Sequence, residues 1–188
     1  MQRNDSQLVL DYLNGDEEAF ALIVSRYIKP VYNFVFRLCG NREAASDIVQ
    51  EVFLKVWKNL KKFDPQKNFK TWIFTIARNT TIDWLRKKQD IIFSTFESPV
   101  SGEEKEHFEN TILDLEPLPD EIFVRKELAA DLEKALSKIR PDFREIIILH
   151  YIEELTFDEI SKIVGKPLNT VKSHHLRALH QMRLHLRI

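Results

Sequence analysis

Residues 155–186 read LTFDEISKIVGKPLNTVKSHHLRALHQMRLHL, a stretch that predicts two helices joined by a tight turn. Thr156 and Glu159 have the three-residue spacing of a capping box, in which each side chain bonds the other residue's backbone N–H group. Leu155 and Ile160 flank this box and are placed to form a hydrophobic staple across it. The sequence therefore fixes the start of the first helix at Thr156.

The first helix should end at Gly165, because glycine readily adopts the left-handed conformation that closes a helix and Pro167 cannot continue one. Asn169 is predicted to cap the second helix. In the second helix, an inward stripe at helical spacing leaves a polar and basic face outside. The inward stripe comprises Val171, His175, Ala178 and Met182, and the outward face comprises Lys172, Ser173, Leu176, Arg177 and His180.

Residues 160–188 contain six Lys or Arg, four His and no acid. This pattern is typical of a helix-turn-helix that reads DNA, and the alternative is a helical hairpin with a solvated basic face. His175 lies on the inward stripe, so we predict a half-buried, hydrogen-bonded side chain rather than a base contact. A metal site is not favoured, because His175, His180 and His185 are five residues apart and do not share a helix face.

The charges of the chain are unevenly distributed. The 188 residues have a formal net charge of −1, yet residues 94–121 contain nine acids and one Lys, which leaves about +7 on the rest. We therefore predict two bodies, residues 1–93 and 122–188, joined by an acidic linker at 94–121. The four Gly and the lack of alternating apolar and polar residues predict an all-α fold of two small helical domains.

The chain shows the composition of a cytoplasmic protein. A single cysteine, Cys39, allows no internal disulfide and suits a reducing compartment. No signal peptide and no uncharged stretch long enough for a membrane span is visible, so we predict no membrane insertion.

The N-terminal body is predicted to contain four helices. The helices are predicted at 6–14, from Asp16 to Gly40 with a kink at Pro30, at 42–63, and from a cap at Asn68 onward. On the third helix, Asp47, Gln50 and Glu51 cluster outside the core-facing stripe. These three residues are therefore candidates for a partner contact, and the alternative is a solvated helix face.

Residues 52–88 combine ten Lys or Arg with two acids and many aromatic residues. Such a composition is typical of a single-strand binding surface, where cations contact phosphates and rings stack on unpaired bases. Most of the rings are nevertheless expected in the core, since a small helical body needs them for packing. Trp72, near the start of the fourth helix, is the strongest candidate for a functional ring.

Several segments, in order, resemble the extracytoplasmic-function sigma factors, the smallest bacterial transcription initiation factors. In the N-terminal body these segments are DEEAFALIVSRY, SDIVQEVFLKVWKNLKKFD and FKTWIFTIARNTTIDWLRKK, and in the C-terminal body LSKIRPDFREIIILHYIEELTFDEISKIVGKPLNTVKSHHLRA. The resemblance implies a first domain that binds core RNA polymerase and melts the minus-ten promoter element. It implies a second domain that reads the minus-thirty-five element.

The resemblance also implies roles for particular residues. Asp47, Gln50, Glu51 and Trp57 match positions that dock on the clamp helices of the largest polymerase subunit. Phe63, Lys67, Phe69, Lys70, Trp72 and Asn79 match the surface for minus-ten DNA, in which the loop at 63–70 forms a pocket for a flipped base. Thr170, Lys172, Ser173, Leu176 and Arg177 match the positions that face minus-thirty-five DNA.

Four further residues are interpreted differently. Arg78 and Asp83 are expected to be structural partners within the first domain. His175 replaces the usual aliphatic residue and places the packing of the recognition helix in question, while His174 replaces an Arg and predicts a weaker phosphate contact.

The family implies a protein without catalysis or cofactors of its own, and an anti-sigma factor as a further partner. One alternative is a stand-alone helix-turn-helix regulator, which leaves the polar cluster of the third helix unexplained. The other alternative is an enzyme acting on nucleic acid, which is disfavoured because no catalytic arrangement of residues is visible.

Overall fold

The computed structural model describes residues 3–94 and 130–186, and this part of the chain is helical without a strand. The helices are α1 (Asp5–Leu13), α2 (Glu17–Cys39), α3 (Arg42–Asn59), α4 (Phe69–Ser94), α5 (130–138), α6 (Pro141–Ile147), α7 (Phe157–Val164) and α8 (Leu168–Leu186). The predicted all-α fold is confirmed. The predicted acidic linker lies outside the described residues, apart from its first residue.

Polar side chains begin the helices where the sequence predicts them. Asp16 accepts hydrogen bonds from backbone N–H groups of the first turn of α2, and Asn68 accepts one from Thr71 at 3.1 Å at the start of α4. The capping box of Thr156 and Glu159 is present in both directions, and Gly165 ends α7 with a φ of 65°. These local predictions are confirmed.

Two predicted boundaries are wrong. Helix α8 begins at Leu168, and the carbonyl of Pro167 accepts hydrogen bonds from the first turn, so Asn169 is a helical residue and not the cap. Helix α3 ends at Asn59 and is followed by a single 3₁₀ turn at Leu60–Lys62, whereas the sequence predicts one helix over residues 42–63. Helix α2 continues through Pro30 without a break.

Helices α1 to α4 pack around a core of aliphatic and aromatic side chains. Phe34 and Phe74 are fully buried and meet edge to face, with ring centroids 5.3 Å apart. Each such ring contributes on the order of 1.5–3 kcal/mol through burial alone. The same hydrophobic cluster continues into the C-terminal half, where it includes Leu149, Leu155 and Ile160.

A second, smaller cluster lies within the C-terminal half. It joins α5, α6 and α8 through Leu136, Ile139, Phe143, Ile147, Ala178 and Met182. A π-helical turn at Ile148–Ile152 connects α6 to the chain leading into α7. The helix-turn-helix formed by α7 and α8 is thus supported by α6 on one side and by the N-terminal half on the other.

Candidate nucleic-acid and protein interfaces

The exposed face of α3 combines polar and apolar side chains. Asp47, Gln50 and Glu51 are exposed, as the sequence predicts, while the opposite stripe of the helix is buried. Leu54 and Trp57 continue this face and are 55% and 51% exposed. Leu54 was missed by the sequence reasoning, although its three-residue spacing from both Glu51 and Trp57 places it on the same face.

The polar part of this face is only partly neutralised. Glu51 lies 2.7 Å from Lys55, one turn further along the helix, and the two side chains are 55% and 40% exposed. An exposed pair of this kind holds its partners weakly, so Glu51 is free to exchange Lys55 for another cation. The α3 face therefore offers an apolar centre with an acidic rim.

The loop between α3 and α4 is supported by a cluster of three rings. Phe63 lies 5.3 Å from Phe69 and 4.9 Å from Trp72, measured between ring centroids. Phe63 and Phe69 are only 6% and 2% exposed, because both belong to the core, so the structure places them beneath the loop and not on its surface. The half-buried Trp72 is the ring of this cluster closest to solvent.

Trp72 begins a row of accessible side chains along one face of α4. Asn79 is exposed and lies two helical turns from Trp72, about 10 Å along the axis, with the half-buried Ile76 between them. Lys67, in the preceding loop, is exposed as well. Residues 67–79 thus offer a half-buried ring, an exposed amide and an exposed cation.

The remaining polar residues at the start of α4 contact the C-terminal half. The ammonium group of Lys70 donates to the backbone carbonyl of Glu153 at 2.6 Å and lies 3.2 Å from the Glu153 carboxylate. The side-chain amide of Asn68 donates to Glu159 at 2.7 Å. The predicted minus-ten residues therefore divide into accessible ones (Lys67, Trp72 and Asn79), two buried rings (Phe63 and Phe69), and Lys70, which is already engaged.

The expectation that Arg78 pairs within the N-terminal half is wrong. Its guanidinium donates to both carboxylate oxygens of Glu145 on α6, at 2.8 and 3.3 Å. Asp83 instead lies 3.2 Å from Arg86 on the surface of α4. Sequence alone could not identify the partner of Arg78, because Glu145 is 67 residues away along the chain.

The outer face of α8 is open to solvent. Lys172, Leu176 and Arg177 are exposed, and Leu176 is among the most exposed large apolar side chains of the described residues. Thr170 and Ser173 are half-buried, and the Ser173 hydroxyl donates to the Thr170 carbonyl at 2.9 Å. All five predicted minus-thirty-five residues therefore lie along one helix, three of them fully accessible.

Beneath this face, His175 is half-buried and hydrogen-bonded, as predicted. Its Nε2 lies 3.0 Å from the Tyr151 hydroxyl, and its ring packs against Phe157 and His150 with centroids 5.0 and 5.4 Å away. Burial, with a smaller contribution from His150, lowers the pKa of His175. The recognition helix therefore rests on an aromatic and histidine cluster instead of the usual aliphatic contact.

His174 faces α6. Its Nδ1 lies 3.9 Å from Asp142, and its ring meets Phe143 edge to face at 5.1 Å. Burial lowers the pKa of His174, and Lys166 lowers it further. The side chain is half-buried against a neighbouring helix, and the weaker phosphate contact at this position stays a prediction.

Within residues 3–94 and 130–186, no group of three or more His, Cys, Asp or Glu side chains is arranged to hold a metal ion. In the same residues, no helix is both long and apolar enough to cross a membrane.

Comparisons with known proteins match both halves of the chain. Residues 23–91 match the family model "Sigma-70 region 2" and residues 129–182 match "Sigma-70, region 4". The ECF RNA polymerase sigma factor SigW of Bacillus subtilis is 35% identical, over 92% of this chain and 91% of that protein. The ECF RNA polymerase sigma-E factor of Escherichia coli is 32% identical, over 94% of this chain and 91% of its own length.

Solved structures show the same fold. The sigma factor RpoE, in complex with the anti-sigma factor NepR from Bartonella quintana, aligns with a TM-score of 0.69 at 23% identity and covers 90% of this chain and 97% of that one. CnrH, in complex with the cytosolic domain of CnrY, aligns with a TM-score of 0.68 at 22% identity and covers 97% of both chains.

Two sigma-70 regions, in the order region 2 then region 4, define the class of the protein. The chain belongs to the extracytoplasmic-function sigma factors, and as an alternative sigma factor it directs RNA polymerase to promoters. The alternative function, a stand-alone helix-turn-helix regulator, is no longer favoured, because the N-terminal half matches sigma-70 region 2.

Proposed function

We propose that the chain binds core RNA polymerase through the exposed face of α3, formed by Asp47, Gln50, Glu51, Leu54 and Trp57. The observation that carries this proposal is the pair of large apolar side chains, Leu54 and Trp57, exposed beside three polar ones. An apolar centre with a polar rim is the usual anatomy of a protein–protein interface. The partner surface is the clamp helices of the largest polymerase subunit.

Minus-ten recognition is assigned to the row on α4 and the loop before it. Trp72 offers a ring for stacking, Asn79 offers base-edge hydrogen bonds, and Lys67 and Lys70 offer phosphate contacts. Phe63 and Phe69 hold the Trp72 ring from below, since both are buried against it. Their role is therefore to shape the pocket and not to contact DNA.

Minus-thirty-five recognition is assigned to the outer face of α8. Lys172 and Arg177 are exposed cations, and the exposed Leu176 is suited to meet a thymine methyl group. Thr170 and Ser173 add hydroxyl groups at the start of the helix. On this basis, we assign residues 1–93 to polymerase binding and melting, residues 122–188 to minus-thirty-five reading, and the linker at 94–121 to the connection between them.

The decisive experiment is transcription in vitro with purified core polymerase, together with a pull-down of the core enzyme. Glu51→Lys should weaken association with core polymerase, because it reverses the charge of the acidic rim, while costing within about 0.5 kcal/mol of stability. The matched control is Glu18→Lys, the same charge reversal at an exposed position of α2. Equal retention of polymerase by both variants would contradict the α3 assignment.

The same preparation tests promoter selection. A library of promoter sequences transcribed by the wild-type holoenzyme identifies the sequences that the chain selects. An anti-sigma factor is a further proposed partner, since the two structural relatives described above were solved as complexes, RpoE with the anti-sigma factor NepR and CnrH with the cytosolic domain of CnrY.

A further inference from the structure

Helix α1 contacts the loop at 63–70, the segment proposed to receive a base of the minus-ten element. The hydroxyl of Ser6 donates to the backbone carbonyl of Pro65 at 2.9 Å, across 59 residues of sequence. Ser6 and Pro65 are both half-buried, while Asp64 and Gln66 on either side of Pro65 are exposed. A side chain from outside the loop therefore holds the loop backbone near its middle.

Within the loop, hydrogen bonds between near neighbours form a turn. The backbone N–H of Gln66 donates to the Asp64 carboxylate at 3.0 Å, and the N–H of Lys67 donates to the Asp64 carbonyl at 2.9 Å. Such bonds are typical of turns that begin with Asp, and they set the curvature of the backbone. They do not set where the turn lies on the helical body. The bond from Ser6 to Pro65 adds that constraint.

Helix α1 is itself anchored in the N-terminal half. Leu8 and Val9 are fully buried in the core. Asp5, beside Ser6, accepts a hydrogen bond from the Tyr27 hydroxyl at 2.5 Å. Burial raises the pKa of Tyr27, so this hydroxyl keeps its proton and remains a donor. Ser6 therefore donates to the loop from a fixed support.

Tyr27 also connects α1 to the rings beneath the loop. Its ring centroid lies 5.4 Å from that of Phe69, which in turn lies 5.4 Å from that of Trp72. Two sets of contacts thus lead from α1 to the proposed minus-ten surface. One runs from Ser6 to the loop backbone, and the other runs from Asp5 through Tyr27 to the rings.

We propose that Ser6 is a positioning residue for minus-ten recognition, because its hydrogen bond to Pro65 holds the loop at 63–70 in a shape that receives an unpaired base. This inference rests on the proposed minus-ten role of that loop. A loop without this bond samples more conformations, and the free energy needed to order it is subtracted from DNA binding. With the bond, the loop is ordered when the chain folds. Ser6 acts through the loop and does not contact DNA itself.

A thermodynamic cycle between Ser6 and the promoter bases tests this role. The DNA is a pre-melted promoter, chosen from the sequences that the wild-type holoenzyme transcribes. One abasic nucleotide replaces, in turn, each minus-ten position of the non-template strand. Fluorescence anisotropy of the labelled DNA measures the affinity of the holoenzyme for each promoter. Because the strands are already separated, the affinity reports the capture of bases without the cost of opening.

Ser6→Ala should bind the intact pre-melted promoter about twofold to tenfold more weakly than wild type, the range that corresponds to the net contribution of one hydrogen bond. At the abasic position that leaves the loop without its base, wild type and Ser6→Ala should bind with the same affinity. A residue that affects only the stability of the fold would instead give the same ratio of affinities at every position.

Three further variants complete the experiment. Ser6→Thr keeps the hydroxyl and should bind the intact promoter like wild type. Ser6→Cys offers only a weak donor of similar size, and it replaces Ser6→Ala if that variant loses its helical circular dichroism. The matched control is Ser25→Ala, the same substitution at an exposed position of α2, which should bind every promoter like wild type. A loss of equal size in Ser25→Ala would overturn the role of Ser6.

The outcomes separate this role from the proposed function. If no abasic position weakens binding by wild type, the chain captures no minus-ten base, and the minus-ten surface of the proposed function fails together with the role of Ser6. If abasic positions weaken wild type but the ratio of Ser6→Ala to wild type never changes, only the role of Ser6 is overturned. Equal affinities of Ser6→Ala and wild type for the intact promoter would overturn it as well. A loss confined to promoters that keep the captured base, with recovery in Ser6→Thr, would support both.

Discussion

The two helices proposed to face DNA, α4 and α8, rest on different supports. Helix α4 buries Ile73, Phe74 and Ala77 completely, together with Thr80 and Thr81, so the row from Trp72 to Asn79 stands on a packed base without a histidine. Helix α8 buries Val171, Ala178 and Met182 and also rests on His175, a half-buried titratable ring. The comparison indicates that the proposed melting surface on α4 is supported by packing, whereas the support of the proposed recognition helix includes a hydrogen-bonded, titratable ring.

The largest effect is expected where the proposed melting surface on α4 meets unpaired bases. Replacing both Trp72 and Asn79 with Ala should abolish open-complex formation on a fully paired promoter, because stacking and base-edge contacts no longer offset the few kcal/mol needed to unstack a base. Permanganate footprinting measures strand opening. Polymerase binding should be retained, since the α3 face is untouched.

A pre-melted promoter provides the control for that experiment. It should recover part of the activity of the double variant, since the cost of opening is already met. Trp72→Phe keeps a ring against Phe63 and should retain most of the opening. Normal footprints from the double variant would place melting on another surface.

On α8, the next effect depends on whether Arg177 reads a base or a phosphate. Arg177→Ala should cost about 1–3 kcal/mol of binding to the selected promoter if it pairs with a base edge, and should lower the salt dependence by about one charge if it contacts phosphate only. Binding of holoenzyme to duplex promoter, titrated with salt, separates the two cases. Arg183→Ala, an exposed cation in the last turn of α8, is the matched control, and identical behaviour of both variants would exclude Arg177 from the reading face.

The difference between the two helices also marks how far the sequence could predict the structure. Local signals were sufficient for the helices themselves, because caps such as Asp16 and Thr156 and the ending at Gly165 act within a few residues. The exposed polar cluster of α3 and the half-buried His175 followed from helical periodicity in the same way. These features need no knowledge of distant partners.

Long-range contacts were not predictable by the same reasoning. The pairing of Arg78 with Glu145 joins residues far apart in sequence, and nothing in the spacing of either residue indicates the other. Tyr151, which supports His175, was missed because it lies in a π-helical turn where the ordinary helical spacing fails. Phe63 and Phe69 matched a family surface, but only the packing shows that they lie beneath it.

A smaller effect is expected at the cap that begins α7, the first helix of the helix-turn-helix. Thr156→Ala should cost about 1 kcal/mol, because it removes the acceptor for the Glu159 N–H group and half of the capping box. Thr156→Ser keeps the hydroxyl and should cost little. Urea denaturation followed by circular dichroism measures both, and equal midpoints for wild type and Thr156→Ala would show that the box contributes nothing.

The smallest effect is the pH dependence of the support beneath α8. Burial lowers the pKa values of His174 and His175 below their ordinary value of 6.5, so the folded state disfavours the proton that the unfolded chain accepts. The stabilisation is therefore fully present above about pH 6.5 and is lost as the pH falls through the lowered pKa values. The melting temperature should fall between about pH 7.5 and about pH 5.5.

The carboxylates Glu145 and Glu153 act in the opposite direction, because their raised pKa values favour the folded state as the pH falls. Wild type is therefore compared with the double variant His174→Gln with His175→Leu. Both chains retain Glu145 and Glu153, so the contribution of these two acids cancels in the comparison. The wild-type chain should lose more stability on acidification than the variant does. Parallel melting curves for the two chains across this range would show that the support beneath α8 does not depend on histidine protonation, and the contrast with α4 would then be one of packing alone.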